Sequence, residues 1–102
     1  MVVVRNLFRL KFGHTKDAVA VWKEMSALGK RLNYGAREMR LLTDAVGPFY
    51  TLVFEVTFDD LATYEREAKR MMGQPEWGQV YQRFNPHVES GYREIFTVVS
   101  LE

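Results

Sequence analysis

The chain has 102 residues, 47% hydrophobic and 26% charged, with a formal net charge of +1, the balance of one folded domain rather than a disordered chain. A charge so close to zero gives no electrostatic footprint for nucleic acid or an anionic membrane, and the lack of any cysteine excludes disulfides, thiolate nucleophiles and zinc–thiolate sites. No apolar run approaches the roughly 18 residues of a membrane span and no secretory segment is visible, so a cytoplasmic protein is expected.

Residues 2–12 read as the first strand. Val2, Val4, Phe8, Leu10 and Phe12 alternate on one face, where Asn6 is the only polar member, and Val3, Arg5, Leu7, Arg9 and Lys11 share the other. Gly13-His14-Thr15 breaks the strand, and Thr15 is the expected N-cap of a helix running to about Leu32. The stripe of that helix is Val19, Trp22, Met25, Ser26, Gly29 and Leu32, with Gly29 expected to let it approach the sheet and Asn33-Tyr34-Gly35 as its stop. Residues 36–43 and 49–58 follow as two strands joined through Asp44-Ala45-Val46-Gly47-Pro48, a hairpin signal. In the second, Tyr50, Leu52, Phe54, Val56 and Phe58 face one way and Phe49, Thr51, Val53, Glu55 and Thr57 the other.

Asp59-Asp60 is the expected cap of the next helix, whose stripe is Leu61, Tyr64, Ala68 and Met71, while Glu65-Arg66-Glu67 reads as its solvated side. Pro75 suits the first turn of a further helical piece carrying Trp77, Val80, Tyr81 and Phe84, and Asn85-Pro86 ends it. Residues 91–99, with Tyr92, Ile95, Phe96, Val98 and Val99, form the last strand.

This order, βαββαβ, predicts a ferredoxin-like α+β sandwich: an antiparallel four-stranded sheet with its helices on one face. The helix-facing surface is then Phe8, Leu10, Met39, Leu41, Leu52, Phe54 and Val56. The opposite surface mixes Leu7, Leu42, Val53 and Ile95 with Arg5, Arg9, Glu38, Arg40 and Glu55. A solvated face rarely keeps so many apolar positions, and a buried one rarely keeps so many unpaired charges. Packing on the sheet of a second copy around a polar interior satisfies both, which predicts a homodimer, the dimeric α+β barrel. Residues 1–100 make the single domain, and Leu101-Glu102 reads as a vector remnant.

The stretch Asp60-Leu61-Ala62-Thr63-Tyr64-Glu65, followed by Gln74-Pro75-Glu76-Trp77-Gly78-Gln79-Val80, resembles the NIPSNAP family. There an aromatic on the second helix precedes a Pro-Glu-Trp step that opens the helix's continuation. Phe84-Asn85-Pro86-His87 and the strand after it also fit, and the likeness extends loosely over residues 2–99. The resemblance implies a dimeric α+β barrel and little about chemistry; the mixed charged and apolar sheet face makes a non-catalytic binding or structural module the expected function. The same barrel class includes cofactor-independent monooxygenases, haem-degrading oxygenases and small isomerases. The alternative is therefore a cofactor-independent monooxygenase or isomerase acting on a small planar or acidic substrate inside the barrel. The haem-degrading type uses an Asn on the first strand with a Trp and a His associated with the second helix, a set offered here by Asn6, Trp77 and His87. Tyr64, however, holds the helix position where that Trp belongs, and His87 follows Pro86 outside the predicted helix, so no cofactor is expected.

The stronger site candidates are Arg5, Arg9, Arg40 and Glu55, whose guanidinium groups suit a carboxylate, enolate or phosphate ligand in the barrel and whose carboxylate suits a base. The same four residues also suit an intersubunit ion-pair network that fixes the dimer's register, the weightier reading. His14 and His87 read as solvent-facing residues far apart in sequence, and no metal site is expected.

Overall fold

The computed structural model describes all 102 residues. Strand β1, Val2–Leu10, turns its β-branched and aromatic alternation into a central strand, paired antiparallel with β3, Thr51–Phe58, on one side and β4, Val88–Thr97, on the other. Strand β2, Glu38–Thr43, adds to the far side of β3, giving the antiparallel order β2-β3-β1-β4. Helices α1 (Thr15–Arg31), α2 (Leu61–Met72) and α3 (Pro75–Phe84) cover one face of this sheet, and a 3-10 turn at Asn85–His87 leads into β4. This is the expected ferredoxin-like α+β arrangement.

The helix-facing rows are Val4, Leu10, Leu52, Phe54, Val56 and Phe58, all buried. Trp22 of α1 sits at the centre of the core. Its ring centroid lies 5.4 Å from Phe8, 4.9 Å from Phe54 and 4.8 Å from Phe84, in tilted or edge-on contacts of a kind worth about 0.5–1.5 kcal/mol each beyond area burial.

Several local expectations are corrected. Strand β1 ends at Leu10, because Lys11 already donates its N–H to the His87 carbonyl (2.8 Å) and Gly13 turns the chain at φ 81°. Phe12 is consequently 79% exposed, its ring tilted against Tyr50 with centroids 4.5 Å apart rather than extending the core row. Tyr50 itself takes φ 59°, so β3 begins after it. The cap of α1 is His14, without a side-chain hydrogen bond, and its buried stripe is Ala18, Val21, Trp22, Met25, Leu28 and Gly29, rotated from the predicted one. Gly29 faces Tyr34, which lies 3.6 Å from where a Cβ would stand, and not the sheet.

Asp60 alone caps α2, accepting from the Thr63 N–H at 2.7 Å, while Asp59 pairs with Arg37. Leu61 is exposed and Glu67 is buried, the reverse of the predicted sides of α2. Strand β4 starts three residues early because Val88 pairs with Leu10 across a bulge at Arg9/Leu10. Beyond that bulge, Phe8 faces Gly91, Asn6 faces Arg93 and Val4 faces Ile95. Ile95 therefore belongs to the helix-side face, and Tyr92, Glu94 and Phe96 hold the opposite one.

Candidate functional site

Three groups of polar side chains compete as a site. The first lies on the open sheet face. Glu55, its side chain only 13% exposed, stands between Arg5 (Nε to Oε2, 3.1 Å) and Arg40, which donates a hydrogen bond to it. The outer members are Glu94, 3.9 Å from Arg5, and Glu38, 4.0 Å from Arg40. The Glu55 hydrogen bond, with its charge, holds the Arg40 guanidinium above its ordinary pKa. Arg5 Nε is buried and within ionic reach of Glu55 but misaligned for a hydrogen bond. Cross-strand register brings these residues together, since Arg5, Glu55 and Arg40 are successive neighbours across β1, β3 and β2. Arg9 does not join them: it donates to the Phe49 carbonyl at 2.9 Å.

The second group is the pair of histidines. His14 and His87 meet through their Nδ1 atoms at 2.9 Å, both half-buried. They are neighbours, not the separate solvent-facing residues expected from sequence. No third metal-ligating side chain joins them.

The third is a cavity of about 410 Å³ between the sheet and the helices. Its floor is Val4, Asn6, Phe54, Val56 and Phe58, its walls come from Trp22, Tyr34, Tyr64, Met71, Trp77 and Tyr81, and Arg93 reaches in from β4. Asn6 and Trp77, named from the sequence, do come together here, whereas His87 lies outside with His14. Both tryptophans of the chain line this space.

Local chemistry fixes each wall. Asn33 at φ 55° reverses the chain after α1, and Glu67 of α2 holds the next turn by accepting from the Gly35 N–H at 2.5 Å and from Arg70 at 3.0 Å. Arg70 in turn donates to the carbonyls of Leu32 and Asn33. This clamp sets Tyr34 edge-on against Phe58, 5.5 Å between centroids. Pro75 opens α3 at its N-terminal end, where its absent N–H costs nothing, and that start presents Trp77 and Tyr81 to the cavity.

The cavity is predominantly apolar with one polar seam. Arg93 Nε donates to Asn6 Oδ1 at 2.6 Å, and its Cζ lies 5.9 Å from the Tyr64 ring centroid. Arg93 forms no ion pair, unlike Arg5 and Arg40 of the sheet. Burial pushes the Tyr34 hydroxyl up to about 12, reinforced by Tyr64 and Glu67 and opposed by Arg93 and Arg70. Burial likewise raises Tyr81, with Arg93 acting against it. Both phenols are thus neutral at pH 7, and no Asp, Glu or His lines the space. Trp22, 3% exposed, has its Nε1–H buried without a partner. A second, more open hollow of about 340 Å³ shares Asn6, Tyr81 and Arg93 with the first.

Residues 5–101 match the NIPSNAP family model. The chain belongs to the NIPSNAP family. Among solved structures it is similar to an uncharacterised NIPSNAP domain protein from Burkholderia xenovorans, at 22% identity and TM-score 0.85 over 99% of this chain and 97% of that one. A NIPSNAP family protein with unknown function from Agrobacterium tumefaciens shows 17% identity and TM-score 0.86, over 100% and 91%. Outside the family, SnoaB, a cofactor-independent oxygenase from Streptomyces nogalater, shows 17% identity and TM-score 0.74, over 97% and 93%. At these identities the likeness is one of fold. No curated protein matches the chain significantly.

Of the residues lining this cavity, the sequence reading names Asn6 and Trp77 as site candidates and does not name Arg93, Trp22 or Tyr34. A signal for Arg93 exists: it is the cation at a helix-facing position of β4, directly opposite Asn6, the one polar residue in the helix-facing row of β1.

Proposed function

We propose that this NIPSNAP protein is a non-catalytic small-molecule binding module that uses the cavity between sheet and helices, and that it works as a homodimer. The observation that carries the binding reading is the cavity's chemistry: aromatic walls, an unpaired arginine and a buried indole N–H with no acceptor. A buried donor left unpaired costs about 1–3 kcal/mol, and a ligand acceptor would remove that cost. The volume lies at the lower end of the ~300–1,000 Å³ range of ligand pockets. Binding is favoured over proton-transfer chemistry because the cavity offers no carboxylate or imidazole as a base, and the half-buried phenols Tyr34 and Tyr81, with raised pKa, are neutral.

The homodimer reading rests on the open sheet face. Leu42, Tyr92 and Phe96 are 36%, 56% and 49% exposed there, around the Arg5–Glu55–Arg40 network. A partner sheet would cover the apolar positions and leave the ion pairs to fix the register. Sedimentation at micromolar concentration tests this: a single species of twice 11.9 kDa supports it and an 11.9 kDa monomer ends it.

A thermal-shift screen with flat aromatic compounds tests the binding reading. A ligand at a hundred times its Kd should add about 2.7 kcal/mol and raise Tm by roughly 10 °C or more, and a flat response across the panel contradicts it. The fold shared with a cofactor-independent oxygenase supports a second reading, in which an electron-rich bound anion itself reduces oxygen. Oxygen uptake with a polycyclic phenol, above the rate without protein, would favour that reading over simple binding.

A further inference from the structure

Arg93 is the one charged group at the cavity, and its donors are unequally used. Nε is taken by Asn6 Oδ1 at 2.6 Å, so the guanidinium is anchored at its inner edge. Its two terminal amino groups hold no carboxylate, since no Asp or Glu lies within ion-pair range of it. Two parallel N–H donors in one plane match the two oxygens of a carboxylate and are half wasted on a single oxygen. Arg93 stands where the apolar chamber meets the more open hollow, and it lines both. A ligand can therefore keep its charge in the more open compartment while its ring enters the apolar one. Inside, the walls are flat rings, and the unpartnered Trp22 Nε1–H supplies one further donor.

We propose that the ligand class of this pocket is a small aromatic carboxylic acid with an oxygen substituent on the ring: the carboxylate on the terminal amino groups of Arg93, the ring among the tryptophan and tyrosine walls, and the ring oxygen accepting from Trp22. Asn6 is a positioning residue that acts through Arg93, because its carbonyl oxygen fixes the plane of the guanidinium. This inference rests on the binding function proposed above and specifies its ligand.

The experiment is titration calorimetry of the full chain with three probes, 6-hydroxy-2-naphthoate, 2-naphthoate and the uncharged 2-naphthamide, with tryptophan fluorescence followed in parallel. The expected order is hydroxynaphthoate, then naphthoate, then naphthamide, with the acid binding about ten- to a hundred-fold more tightly than the amide. Arg93→Gln should abolish that acid-over-amide ratio while leaving amide binding in place. Asn6→Asp, which puts a rival carboxylate on the guanidinium, should do the same, and circular dichroism with the unchanged amide affinity reports that both variants remain folded. Equal binding of acid and amide, indifferent to Arg93→Gln, overturns the anionic ligand while the binding function stands. If none of the three probes binds at millimolar concentration and the fluorescence does not move, both the ligand class and the pocket's binding role are overturned.

Discussion

Gly35→Ala should destabilise this protein although Gly35 takes an ordinary backbone conformation, and the cost should vanish when Glu67 is also removed. A Cβ at Gly35 would stand 2.6 Å from Glu67 Oε1, 3.0 Å from its Cδ and 3.2 Å from its Cγ. Glu67 cannot simply swing away, because it is buried and held by the Gly35 N–H and by two donors of Arg70. Displacing it loses the short bond to Gly35 and weakens the charged one. At about 1 kcal/mol for a neutral hydrogen bond and 1.5–3 for a charged one, partly replaced by water, the expected loss is about 2 kcal/mol. For a domain of this size that lowers Tm by roughly 8–16 °C. Glu67→Ala alone should cost a similar amount. In the Glu67→Ala background the clash partner is gone, and Gly35→Ala should become neutral or stabilise by up to about 1 kcal/mol by restricting the unfolded chain. Denaturant unfolding of the four proteins gives the coupling energy directly. Equal costs for Gly35→Ala in both backgrounds would refute the clamp.

Three further outcomes follow from the same contacts. Trp22→Ala should cost about 3–5 kcal/mol, since a buried aromatic leaves a cavity, whereas the half-buried Trp77→Ala should cost well under half of that and instead weaken ligand binding; chemical denaturation and calorimetry separate the two. Glu67, held by Arg70, and Asp60, held by Thr63, have carboxyls below their ordinary values of 4.5 and 3.8. Their contribution is present in full above those ordinary values and is lost as pH falls through the lowered ones, so Tm should hold down to about pH 5 and decline below about pH 4; a Tm constant from pH 6 to pH 3 would count against it. Glu55→Gln removes the carboxylate between Arg5 and Arg40 and should weaken self-association while leaving the helix-side cavity and its ligand affinity unchanged, as read by sedimentation and by calorimetry.

Much of the architecture is legible in the sequence because its pattern is redundant. The period-two rows of β1 and β3 and the Pro75 start of α3 each specify one local structure, and together they allow only the observed order. What stayed hidden depends on contacts between distant segments. Glu67 reads as solvated because its neighbours Glu65 and Arg66 are, and only the docking of Gly35 and the reach of Arg70 make its burial tolerable. His14 and His87 are separated by most of the chain and meet only because Val88 pairs with Leu10. The face of Arg93 turns on the bulge at Arg9/Leu10, which alternation within β4 alone does not reveal. The open-face candidates were placed correctly on the sheet but away from the cavity. Asn6 carried the clue, a lone polar residue in an apolar row, whose significance needed its partner across the strand.

The claim that the sheet–helix cavity is the binding site is tested most directly by a crystal structure grown with 6-bromo-2-naphthoate, with the bromine located by anomalous scattering. The expected result is one bromine peak among Trp22, Tyr64 and Trp77, with the carboxylate on Arg93. A peak on the open sheet face beside Arg5 and Glu55, with the cavity empty, would contradict it.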